Sequence, residues 1–85
     1  MKHAGVEALK RIEPLLAQVR AFSALVERRP GVFYLRSRAF LHFHEDSTGI
    51  FADVRIHDSF ERFDVSDRVG EMTLTEHIRS ALAKL

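Results

Sequence analysis

Two histidines stand one residue apart in the run Leu41-His42-Phe43-His44. In an extended chain successive side chains alternate between faces, so histidines at this spacing project the same way. Paired imidazoles bind transition-metal ions, and beside a carboxylate they titrate near neutral pH. A second run, Asp53-Val54-Arg55-Ile56-His57, carries a carboxylate, a guanidinium and a further imidazole at the same alternation. With Arg36 and Arg38 just upstream, the candidate binding residues are His42, His44, Asp53, Arg55, His57, Arg36 and Arg38.

Three chemistries suit this set. Arginines among exposed aromatics are enriched where surfaces hold ligands and proteins, which points to a non-enzymatic module for a small anionic ligand or a protein partner. That is the leading expectation. A divalent metal ion on His42 and His44, completed by Asp53 or His57, would support a metal-assisted hydrolase instead. The third reading is a weak nucleic-acid binder through Arg36, Arg38, Arg55 and Arg62. A net charge of +1 and the lack of an aromatic ribonucleoprotein motif argue against that one.

Other chemistry is absent from the pattern. The chain has no cysteine, so disulfides and thiolate metal sites are excluded. It contains no His-Glu-x-x-His, no glycine-rich phosphate loop and no nucleophile-elbow serine, and no cofactor is expected. No signal-peptide pattern and no apolar run near 18 residues occurs, which leads to the expectation of a cytoplasmic protein without a membrane span. A length of 85 residues leads to the expectation of one small domain. Its core would be held by packing alone, and a homo-oligomer is expected to supplement it.

The elements that must position these residues follow from periodicity. Leu15, Val19, Phe22 and Val26 recur at helical spacing, so a helix is read from Pro14 to Arg29, ended by Pro30-Gly31. Val6, Leu9 and Ile12 indicate a shorter helix before it. Strands are read over Val32–Phe43, with a reversal near Ser37-Arg38, over Ile50–His57, and around Glu61–Val65. Asp46-Ser47-Thr48-Gly49 has the residues of a tight turn. A last helix is read from a Thr73/Glu76 capping box through Leu74, Ile78, Leu82 and Leu85. The expected class is α+β: a three- or four-stranded antiparallel meander with N-terminal and C-terminal helices on one face.

Parity then selects the register of the central hairpin. Burying Leu41 and Phe43 on the same side as Ala52 and Val54 requires Leu41 opposite Val54 and Phe43 opposite Ala52; a one-residue slip loses the common core. His42 then lies opposite Asp53, His44 opposite Phe51, and Phe40 opposite Arg55. The outer face would display the histidines, Asp53, Arg55, Phe40 and Phe51 together. An ion pair between His42 and Asp53 is expected, raising the histidine's pKa above about 6.5.

Overall fold

β-branched and aromatic residues dominate the middle of the chain, and a computed structural model covering residues 1–85 shows the sheet they form. In chain order the elements are β1 (Lys2–His3), α1 (Val6–Arg11), α2 (Glu13–Arg20), β2 (Leu25–Arg29), β3 (Val32–Leu35), β4 (Arg38–Asp46), β5 (Gly49–Ile56), β6 (Ser59–Asp64) and α3 (Arg68–Ala83). The fold is α+β with an antiparallel sheet and three helices. Strands β2 to β6 follow one another as a meander, and β1 pairs with the part of β4 that runs past β3. The sheet therefore has six strands rather than three or four.

One of the two additional strands corrects the long first helix. Helix α2 stops at Arg20, and Leu25–Arg29 is the edge strand β2, paired as Leu25 with Leu35, Val26 with Tyr34 and Glu27 with Phe33. Pro30-Gly31 turns a hairpin instead of ending a helix, with Gly31 at a φ of +76° that a β-carbon disfavours. The apolar spacing from Val19 to Val26 is helical by coincidence: Val26 is 58 % exposed. What overrides it is the free edge of β3, whose backbone groups β2 satisfies.

Glu27 locks this hairpin to the end of α2. Its carboxylate accepts from Arg20 Nε at 2.7 Å and from the Gly31 amide at 3.0 Å. The Arg20 hydrogen bond, then the Gly31 amide, hold Glu27 below its ordinary pKa of 4.5 against the opposing effect of burial. A carboxylate with a lowered folded pKa adds stability that is complete above its unfolded pKa and lost as pH falls through the folded value. Glu27→Gln should therefore show a shallower loss of unfolding free energy than wild type between about pH 6 and about pH 3. Urea melts across that range would decide it; parallel curves would show that the pair contributes nothing.

The last helix also starts earlier than its capping box implied. Asp67 is the N-cap, accepting from the Gly70 amide at 2.8 Å, and Thr73 lies inside α3 with its hydroxyl donating to Val69 O at 2.9 Å. Gly70 is what allows the earlier start. A β-carbon there would lie 1.9 Å from the carbonyl oxygen of Asp64, so only glycine lets the first turn sit against the end of β6. Leu85 falls beyond the helix and is exposed.

The central hairpin has the register that parity selects. Leu41 pairs with Val54, His42 with Asp53, Phe43 with Ala52 and His44 with Phe51. Leu41, Phe43, Ala52 and Val54 are buried in one apolar cluster with Leu15, Leu16 and Val19 of α2 and Leu74 and Ile78 of α3. Phe22 and Leu82 pack against that cluster half-buried. Phe40 departs from the expectation. Phe33 pairs with Leu41 while Tyr34 pairs with Ala39, so Phe40 is the extra residue of a β-bulge. The bulge breaks the alternation and turns Phe40 into the core at 3 % exposure, where strict parity had put it outside.

Candidate functional site

On the face of the sheet opposite that core, β4 carries His42 and His44 and β5 carries Asp53 and Arg55. Strand β6 adds Arg62 opposite Asp53 and Phe60 opposite Arg55, while β1 brings His3 opposite His44. Neither His3 nor Phe60 was legible as part of the set. A two-residue strand has no periodicity to read, and Phe60 lies next to a turn.

Asp53 is the centre of the arrangement and is only 7 % exposed. Arg62 clamps it with both arms of the guanidinium, Nε to Oδ1 at 2.8 Å and a terminal nitrogen to Oδ2 at 2.9 Å. That bidentate contact, opposed by burial and helped by the charge of Arg62, keeps the carboxyl below its ordinary pKa of 3.8. Ionised, Asp53 can only accept hydrogen bonds. Its contact to His44 Nδ1 at 3.0 Å is thus a bond that His44 donates. In neutral His44 the lone pair is then on Nε2, which faces His42 Nδ1 at 3.3 Å.

The expected His42–Asp53 ion pair is not what forms. The two residues are opposite in register, but the side-chain bond runs diagonally from His44. His42 instead lies against the Phe60 ring, with centroids 4.9 Å apart, and forms a triangle of rings with His44 at 4.8 Å and His3 at 6.0 Å. Burial, then repulsion from the neighbouring His44 ring, outweigh the attraction of Asp53, so the His42 pKa is lowered from 6.5, the reverse of the expected sign.

The other sequence candidates divide between two places. Arg55 stays beside the histidine face, its guanidinium 4.5 Å above the Phe60 ring and its Nε donating to Ala39 O at 2.8 Å. His57 does not join it. The chain leaves β5 at Ile56, and His57 and Asp58 form the turn into β6 with φ of 56° and 71°. Arg36 occupies the matching turn between β3 and β4, and Arg38 follows it, 3.5 Å from Asp58. These three line a cleft of about 450 Å³ at the end of the sheet under the last turn of α3, away from His42 and His44, and Arg55 also reaches its wall. Phe51 is half-buried on the outer face opposite Asp64.

No family model, curated protein or solved structure matches the chain. No helix is long and apolar enough to cross a membrane.

Proposed function

We propose that this protein is a binding module for a divalent transition-metal ion, held on the outer face of the sheet by His42 and His44 with His3 beside them. The observation that carries the reading is the 3.3 Å separation of His42 Nδ1 and His44 Nε2, a hydrogen bond whose bridging proton a metal ion would replace. Two nitrogens bound about 2.05 Å from one tetrahedral zinc ion lie about 3.3 Å apart, so the pair spans one edge of such a site. Rings on one tetrahedral ion have centroids roughly 5 Å apart by the same geometry. The His3–His44 and His42–His44 centroids are 5.0 and 4.8 Å apart, and His3–His42, at 6.0 Å, is the one pair that would have to close on a shared ion.

Asp53 supports the site without being a ligand. Its oxygens accept three hydrogen bonds from Arg62 and His44, and a carboxylate behind a histidine fixes that ring's orientation and raises its basicity. The same occupancy favours binding over hydrolysis, because Asp53 is not free to serve as a general base. Calorimetric titration of the full chain with zinc should give one site per chain, and His44→Ala should lose it. Absence of saturable binding by wild type, or equal binding by the variant, would overturn the proposal.

A further inference from the structure

The cleft at the other end of the sheet is a second feature with the form of a ligand site, and nothing in the metal reading uses it. At about 450 Å³ it lies within the range of small-molecule pockets. Its apolar lining comes from Leu35, Phe40, Ile56 and Ala81, with Phe40 there because the β4 bulge turns it inward. Its cationic side chains are Arg36, Arg38, Arg55 and Lys84, against one acidic side chain, Asp58. Arg38 is paired with Asp58, and Arg55 is stacked on Phe60 and bonded to Ala39 O, which leaves Arg36 and Lys84 as the cations with neither a salt bridge nor another side-chain contact.

The backbone around the rim carries an independent mark. Arg36, Ser37, His57 and Asp58 are the four non-glycine residues of the chain with left-handed φ, between 52° and 71°. They make up the two hairpin turns beside the cleft. Two-residue turns with both central φ values positive are most favourable as Asn-Gly. Here the first turn is Arg-Ser and the second His-Asp, so both accept backbone strain and keep an ionisable side chain at the rim. Strain of this kind concentrates at functional sites.

From the apolar floor, the cationic excess and the two strained turns, we infer that the cleft binds a monoanionic amphiphile, a straight-chain carboxylate with its chain on Leu35, Phe40 and Ala81 and its head group at Arg36 and Lys84. The apolar body contributes buried area, and the carboxylate is matched by cations that have no other partner. The site shares only Arg55 with the histidine face and does not depend on metal.

Decanoate, below its micelle-forming concentration, is the probe, with 1-decanol as the uncharged counterpart. Titration followed by NMR on the full chain should give saturable binding with shifts of the Leu35 and Ala81 methyl groups. Decanoate should bind about tenfold more tightly than decanol at low salt, as two exposed ion pairs can supply, and the difference should shrink as salt rises. The double variant Arg36→Asn/Ser37→Gly gives the turn its preferred residues. It should raise the melting temperature and yet weaken decanoate severalfold, with decanol unchanged. Ala81→Phe should fill the cleft and abolish binding of both probes. Equal affinity for decanoate and decanol would overturn the inference, as would no saturable binding, or an unchanged decanoate affinity in the double variant.

Discussion

Leu41→Ala should destabilise the protein by about 2–5 kcal/mol, the range for removing a leucine from a close-packed core and leaving a cavity. Leu41 is fully buried, lies opposite Val54, and belongs to the cluster that joins the sheet to α2 and α3. Two features place the effect near the upper end. The neighbouring Phe40 is also buried because of the bulge, so the backbone at this point is pinned by two adjacent inward side chains. Phe33, opposite Leu41 on β3, is buried as well, which limits collapse from that side. Denaturant unfolding checks it. A loss below about half a kcal/mol would place Leu41 at the surface and contradict both the register and the core.

Asp53→Asn should weaken zinc binding by about 10–100-fold while leaving one site per chain, the effect of losing an outer-shell partner. The mechanism is specific. An asparagine oxygen can still accept from His44 Nδ1, but it lacks the charge that strengthens the bond, and Arg62 loses its bidentate partner. His44 is then less firmly held with Nε2 toward His42, and the histidine pair binds metal less well. Calorimetry of wild type, Asp53→Asn and His44→Ala separates the roles. Were Asp53→Asn to abolish binding as completely as His44→Ala does, Asp53 would be a ligand. Were it to bind zinc like wild type, the supporting role would be wrong.

The corrections to the sequence reading share a cause. Leu25–Arg29 has helical spacing, yet its fate was settled by the exposed edge of β3 that needed a partner, and no local window contains that edge. Phe40 alternates with Leu41 and Phe43 on paper, but a single unpaired residue in β4 reverses its side. His57 continues the alternation of Ile50 to Ile56, but the strand ends one residue before it. The first reversal was legible to within a residue, at Arg36-Ser37, although no glycine or asparagine marks it.

By itself the sequence determined the α+β class, the antiparallel meander and the pairing of His42 with Asp53. These follow from a period of two that permits only one register if both apolar sets are to be buried together. The His-x-His spacing likewise required both rings to share a face. Only the tertiary structure decided which atoms meet there. That His44 rather than His42 bonds Asp53, that Arg62 holds the carboxylate, and that His3 arrives beside His44 all depend on side-chain directions and on distant pairings of β1 and β6. Alternation specifies a face, whereas chemistry depends on distances of about 3 Å that are set by everything packed around it.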